Sequence, residues 1–307
     1  MNETDLSRLG TEQSNPRSAG IDRLDTAGIL GLINAEDQLV AGAVGAILPD
    51  ITEAVDRIHQ RMLTGGRLIY IGSGTSGRLG VLDAAECPPT YGTDPGEIMA
   101  IMAGGRGAVF RAVEGAEDDR EQGRRDLAAV GLKPADSVLG IAASGRTPYV
   151  IGALEYANEI GALTISLSTV ADAKIGRLAK VALAAVTGPE VVTGSTRMKS
   201  GTAQKLILNM LSTTLMIKRG KVYGNYMVDL RATNEKLRKR AQRTVMAITG
   251  VTEAEAWRLL EAADLHVKTA VAMHWLDSTA TEARRRLAAV DGQLHRLAPD
   301  SIKGEPV

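Results

Sequence analysis

The sequence predicts an α/β protein of the doubly wound kind: a five-stranded parallel sheet flanked by helices, with helices before it and a small helical module after it. Three observations predict this. Five short apolar runs, at residues 67–71, 98–102, 138–142, 163–167 and 181–186, are separated by helix-length segments. Each run is apolar on both faces, as strands covered by helices on both sides require. Past residue 233 the strand signals stop and helix-start signals recur. A chain of 307 residues has room for both parts.

Taken in order, the first 65 residues read as a helical lead-in after a polar start. Ile51, Val55, Ile58 and Met62 fall at helical spacing over 51–63. The five runs follow as alternating strand and helix units, which is the signature of a parallel sheet. Residues 200–220 and about 236–245 read as helices. Thr252 with Glu255, and Thr279 with Glu282, match capping boxes that open two more, and Gly292 suits a helix stop. The expected organisation is a lead-in at 1–65, an α/β domain at 66–232 and a helical module at 233–307.

Composition excludes several functions. Lysine plus arginine number 36 and aspartate plus glutamate 36, so no net charge holds nucleic acid. Arg238-Lys239-Arg240 and Arg284-Arg285-Arg286 then read as solvated helix faces. A single cysteine, Cys87, excludes an internal disulfide and a multi-cysteine zinc site, and the four histidines lack metal-ligand spacing. The longest apolar stretches, 39–48 and 206–217, are shorter than the ~20 residues that span a bilayer. The first ten residues lack the basic and apolar regions of a signal peptide. A cytoplasmic protein with no membrane partner is the expectation. Apolar residues make 44% of the chain but aromatics only 3%, so the core is built from Ala, Val, Leu, Ile and Met.

The local chemistry concentrates in loops. The first strand runs into Gly72-Ser73-Gly74-Thr75-Ser76-Gly77. Glycines let the backbone approach an anion, the following helix offers free N–H groups, and Thr75 and Ser76 add hydroxyls. The string fits the dinucleotide fingerprint G-x-G-x-x-G, which expects an acidic residue about 20 positions on, at the end of the second strand. Ala103-Gly104-Gly105 stands there instead. The third strand runs into Ala143-Ser144-Gly145-Arg146-Thr147-Pro148, where Thr147 suits an N-cap and Pro148 a first helical residue. Turn-making and capping alone also account for these residues. Two hydroxyl-rich loops at the carboxyl ends of neighbouring strands form the crevice where open α/β sheets bind ligands. One phosphate bound by both loops suits a phosphosugar better than a dinucleotide. A third polar cluster, 193–202, adds Arg197 and Lys199 as local sources of positive potential for an anionic substrate.

The first loop continues as Gly77-Arg78-Leu79-Gly80-Val81-Leu82-Asp83-Ala84-Ala85-Glu86-Cys87-Pro88-Pro89-Thr90-Tyr91-Gly92. Together with 112–118, 141–149, 191–205 and Ala232-Thr233-Asn234-Glu235-Lys236, this string resembles the N-acetylmuramic acid 6-phosphate etherases, a family of the sugar isomerase (SIS) superfamily. The resemblance runs from Thr11-Glu12, through Asn15, Ser18 and Asp22, to Lys236, and is looser beyond. It implies an SIS fold and a lyase of N-acetylmuramate catabolism in peptidoglycan recycling. Such an enzyme cleaves the D-lactyl ether of N-acetylmuramic acid 6-phosphate with water, giving N-acetylglucosamine 6-phosphate and D-lactate. The family works in the cytoplasm as a homodimer, without metal or organic cofactor. Carried over, the phosphate ligands are Thr75, Ser76, Ser144 and Thr147, and the catalytic carboxylates are Glu86 and Glu117. A non-catalytic sugar-phosphate sensor and a sugar-phosphate isomerase share the scaffold. The presence of both glutamates favours the etherase.

The family's chemistry needs an acid and a base. The open-chain aldehyde acidifies the carbon 2 proton; a base removes it, and an acid protonates the lactate oxygen as it leaves carbon 3. Water then adds to carbon 3. By the resemblance Glu86 assists the leaving lactate and Glu117 works at carbon 2. Pro88-Pro89 should end a helix begun near Gly77, placing Glu86 in its last turn. If that helix is continuous, Ser76 and Glu86 stand ~15 Å apart along it, yet carbon 3 is only a few bonds from the phosphate. Either the helix is short or broken near Gly80, or Glu86 serves the partner subunit's site. The second is the expectation.

Overall fold

A computed structural model describes residues 10–299. The chain forms two compact units: residues up to Ala85 with Gly96–Ser212, and Glu86–Pro95 with the residues from Thr213 on.

The first unit holds α1 (Thr26–Gly45), α2 (Leu48–Leu63), β1 (Leu68–Gly72), β2 (Ile98–Met102), α4 (Arg120–Ala129), β3 (Ser137–Ile141), α5 (Pro148–Ile160), β4 (Leu163–Ser168), α6 (Lys174–Leu178) and β5 (Val181–Ala184). Two helices, α3 (Gly74–Tyr91) and α7 (Lys199–Lys218), pass from one unit into the other. The five strands are all parallel, in the order β2-β1-β3-β4-β5. Every residue of β1, β3 and β4 is buried, which is why their sequences lack alternation. One core cluster packs Ile69, Ile71 and Val138 of the sheet with Tyr149, Val150 and Leu154 of α5. The stripe Ile51, Val55, Ile58 and Met62 of α2 is buried as its spacing requires. Among the described residues no single helix is long and apolar enough to cross a membrane.

One expected boundary is corrected. α3 continues through Pro88 and Pro89 to Tyr91. The two prolines lack the N–H groups that would bond the carbonyls one turn back, but Asp83, Ala84 and Cys87 are buried and hold the helix in place. Asp83 accepts hydrogen bonds from the Tyr70 hydroxyl at 2.9 Å, Asn209 Nδ2 at 2.7 Å and Ser212 Oγ at 3.1 Å. Past the prolines, Gly92 N–H bonds the Pro88 carbonyl at 3.0 Å.

The second unit carries a short hairpin, β6 (Val222–Tyr223) and β7 (Tyr226–Met227), then α8 (Glu235–Thr249), α9 (Glu253–Ala262), α10 (Val267–Leu276) and α11 (Ala280–Ala289). Thr252 and Thr279 cap α9 and α11, each accepting an N–H at 3.3 Å. The core joins Val228, Val245, Leu260, Val271 and Leu287, with Tyr223 edge-on to Trp275 at 5.3 Å. The hairpin and α10 escaped the sequence. The strands have two residues each, and the N-cap position of α10 is His266, which makes no side-chain capping bond.

A buried charge cluster ties this unit together. Asp229 accepts from Lys268 Nζ at 2.8 Å, meets Lys221 Nζ at 3.1 Å and lies 3.1 Å from His266 Nε2. Burial by itself raises an aspartate's pKa, but the His266 hydrogen bond and the two lysine charges outweigh it and hold Asp229 well below the carboxylate range. A depressed folded-state pKa adds stability that is complete above about pH 4 and is lost as the pH falls further. Asp229→Asn is therefore expected to destabilise the fold by about 3–5 kcal/mol at neutral pH, since it leaves lysine charges buried without a counterion. It should also flatten the acid limb of the stability profile. Thermal melts from pH 2 to 8 check both, and a neutral-pH melt matching the parent would contradict the assignment.

Candidate active site

The site is built where strand order reverses. β1 and β3 are neighbours with Gly72 opposite Ile141, so the loops that follow them leave the sheet side by side. β1 leads to β2 on one side and β3 to β4 on the other, which opens a crevice at the carboxyl ends. Thr75 and Ser76 stand in the first turn of α3, and Ser144 and Thr147 in the loop before α5. The hydroxyls expected to share one phosphate thus come from adjacent loops.

The second loop has a defined geometry. Gly145 adopts φ +66°, and a Cβ there would lie 2.3 Å from Ala173 Cβ. Its N–H bonds the Ala142 carbonyl and its own carbonyl accepts from Ile175 N–H, each at 3.0 Å. Thr147 takes the N-cap position of α5, but its hydroxyl makes no capping bond, contrary to expectation. The reason is that Tyr149 N–H, one of the groups it would cap, already bonds the backbone carbonyl of Glu117 at 3.0 Å. The Thr147 hydroxyl is thereby left for another partner.

Glu117 connects the two loops. Its carbonyl holds the first turn of α5, while its exposed carboxylate accepts from Ser73 Oγ, in the first loop, at 3.3 Å. It lies in a turn just before α4, whose N-cap is Asp119. Ser73 had no assigned role in the sequence, because its partner lies 44 positions away. Ser76 is 8% exposed, and its Oγ donates to Gln204 Oε1 at 2.9 Å. Gln204 was also missed.

The third cluster is largely structural, which corrects one expectation. Lys199 is 1% exposed, and its ammonium donates to Glu36 Oε2 at 2.7 Å, so its charge serves the interior and not a ligand. Arg17 Nε meets the other Glu36 oxygen at 2.8 Å. Burial raises the Glu36 carboxyl's pKa, but Lys199, Asn15 and Arg17 together bring it below its ordinary value. Buried Glu190 accepts the backbone N–H groups of Lys199 and Ser200, each at 2.9 Å, and so occupies the N-terminus of α7. The Thr169 hydroxyl lies 3.0 Å from Ser200 Oγ and 3.1 Å from the carbonyl of Ala143, which ties this region to the second loop. Arg197 remains exposed.

Glu86 lies on α3 as an exposed residue of the second unit, ten positions past Ser76. The helix is unbroken at Gly80, whose missing side chain lets it pack on β1: a Cβ there would lie 3.1 Å from Tyr70 Cβ. Because α3 runs on to Tyr91, Glu86 is not in its last turn.

A parallel sheet of this order, with hydroxyl loops at its switch point, defines an open doubly wound α/β fold of the class that binds ligands at the carboxyl ends of its strands. The SIS domain model matches residues 124–214, the glucokinase regulatory protein N-terminal SIS domain matches 50–158, and a UBA-like domain matches 243–281. Curated relatives include N-acetylmuramic acid 6-phosphate etherases from Caldanaerobacter subterraneus subsp. tengcongensis (53% identical over 94% of each chain), Vibrio vulnificus (54%, covering 96% of this chain and 99% of that one) and Rhodopirellula baltica (52%, covering 95% and 97%). The chain belongs to the N-acetylmuramic acid 6-phosphate etherase family. Among solved structures, phosphoheptose isomerase GmhA from Neisseria gonorrhoeae aligns with a TM-score of 0.48 at 18% identity, covering 62% of this chain and 98% of that one.

Proposed function

We propose that this protein is an N-acetylmuramic acid 6-phosphate etherase that works by elimination and hydration, with Glu117 as the base at carbon 2 and Glu86 as the acid at the lactate oxygen. The observation that carries the reading is the position of Glu117. Its backbone braces the α5 end of one phosphate loop and its carboxylate touches Ser73 in the other. A phosphate held by Thr75, Ser76, Ser144 and Thr147 therefore leaves the sugar carbons next to a fixed carboxylate. Two helix N-termini and the exposed Arg197 add positive potential for the anionic substrate.

The steps use only these groups. Glu117 takes the carbon 2 proton of the open-chain aldehyde, and Glu86 protonates the lactate oxygen as its bond to carbon 3 breaks. Glu86, now a carboxylate, deprotonates the water that adds to carbon 3, and Glu117 returns its proton to carbon 2. We further take the protein to be a cytoplasmic homodimer in which Glu86 completes the partner's site. The unbroken helix between Ser76 and Glu86 supports this.

The test is incubation of the full chain with N-acetylmuramic acid 6-phosphate and assay of free D-lactate. Release of D-lactate with N-acetylglucosamine 6-phosphate is expected. Binding without turnover would instead identify a sensor, and a rearranged sugar phosphate without lactate an isomerase.

A further inference from the structure

Gln204 is 1% exposed, and it shares a face of α7 with Gly201, where an added Cβ would lie 3.5 Å from the Thr75 methyl carbon. Its carbonyl Oε1 accepts the Ser76 hydroxyl at 2.9 Å. Its amide nitrogen Nε2 is buried and has no hydrogen-bond partner among the described residues. Two difficulties meet here. A serine hydroxyl has one proton, so while Ser76 donates to Gln204 it has none for a phosphoryl oxygen. A buried amide with neither N–H satisfied is also uncommon in folded proteins and demands a reason.

A single motion removes both difficulties. The terminal torsion of glutamine is broad and roughly two-fold, so the amide can turn over without moving the rest of the side chain. Nε2 then stands where Oε1 was and donates to Ser76 Oγ, and the Ser76 proton is released toward the crevice. The carbonyl oxygen left behind is the less demanding orphan, and the new hydroxyl bond to an anion is the stronger kind. We propose that Gln204 is a positioning residue for phosphate recognition, whose amide turns from accepting the Ser76 proton to donating to Ser76 when the phosphoryl group binds. This rests on reading the two loops as the phosphate site.

The probe is inorganic phosphate, titrated calorimetrically into the full chain. Gln204→Glu keeps the side-chain shape and the acceptor at Oε1, but a carboxylate cannot donate, so it holds the Ser76 proton away from the crevice. It is expected to weaken phosphate binding by about 10- to 100-fold. Gln204→Met removes acceptor and donor together and frees the hydroxyl, so a smaller loss, about threefold, is expected. It should melt at or above the parent temperature, because the orphaned amide is gone. A merely structural hydrogen bond predicts the reverse order, since only Glu preserves the contact seen. Placing Gln204→Glu on Ser76→Ala separates the remaining possibility, direct repulsion of phosphate by the new charge. If the effect passes through Ser76, it shrinks to a few-fold there; if it persists in full, the proposal is overturned. A Glu variant that binds as the parent, or a Met variant that melts lower and binds as the parent, overturns it as well. A parent chain that binds no phosphate removes the phosphate-site reading and this proposal together, whereas tolerance of Gln204→Glu removes this one alone.

Discussion

Glu117→Gln is expected to lower D-lactate release by about 10²–10⁴-fold, the usual contribution of one general acid or base, with little change in the melting temperature. The exposed side chain makes one hydrogen bond among those described, from Ser73 Oγ, and an amide oxygen can accept it as well. The bond that braces α5 comes from the Glu117 backbone carbonyl, which the substitution leaves in place. Fold and phosphate pocket therefore persist while the proton acceptor is lost, so kcat should fall far more than KM rises. Glu86→Gln is expected to be equally severe, again without a loss of stability, because Glu86 is exposed and stands clear of the buried face of α3.

Mixing the two variants separates a shared site from a self-contained one. If Glu86 completes the partner's site, a dimer with one chain of each kind has one intact site and one doubly defective one. Random exchange of subunits then restores about a quarter of parental activity. If each chain builds its own site, mixing restores nothing. Turnover by either variant alone at the parental rate would remove that residue from the mechanism.

What the sequence conveyed and what it withheld follows from the range of the interactions. Strands buried on both faces are written as consecutive apolar residues, so β1 to β5 were legible to within a residue or two at each end. The hydroxyl loops were legible because glycines and hydroxyls between a strand and a helix are a local pattern. The partners of those residues were not. Lys199 looked like a ligand cation because its counterion, Glu36, lies 163 positions earlier. Glu117 gave no sign of touching Ser73, and Gln204, 128 positions from Ser76, read as one more polar residue in a helix. Pro88-Pro89 misled in the other direction: a local breaker was overridden by the burial of Asp83, Ala84 and Cys87, which no local rule registers. Local chemistry thus pointed to the loops where we propose the anion binds, and only the tertiary contacts show which polar groups are already committed to the interior.

Gly145→Ala is expected to destabilise the first unit strongly and to disturb the second loop. Two penalties coincide at this residue. Its φ of +66° disfavours any L side chain by about 1–2 kcal/mol. The added Cβ would also stand 2.3 Å from Ala173 Cβ, so either the second loop or the start of α6 must shift, at about 1–3 kcal/mol. Gly131→Ala isolates the first penalty: its φ is +60°, but nothing lies within 4 Å of the new carbon. The difference between the two variants in urea or thermal unfolding therefore reads the clash alone. It should be accompanied by a loss of phosphate affinity in Gly145→Ala only, because the displaced turn carries Ser144 and leads directly into Thr147. Equal stability and equal phosphate binding in the two variants would mean that the second loop yields freely. In that case the hydroxyls are not held in advance for the phosphate, and Glu117 could not count on finding carbon 2 in reach.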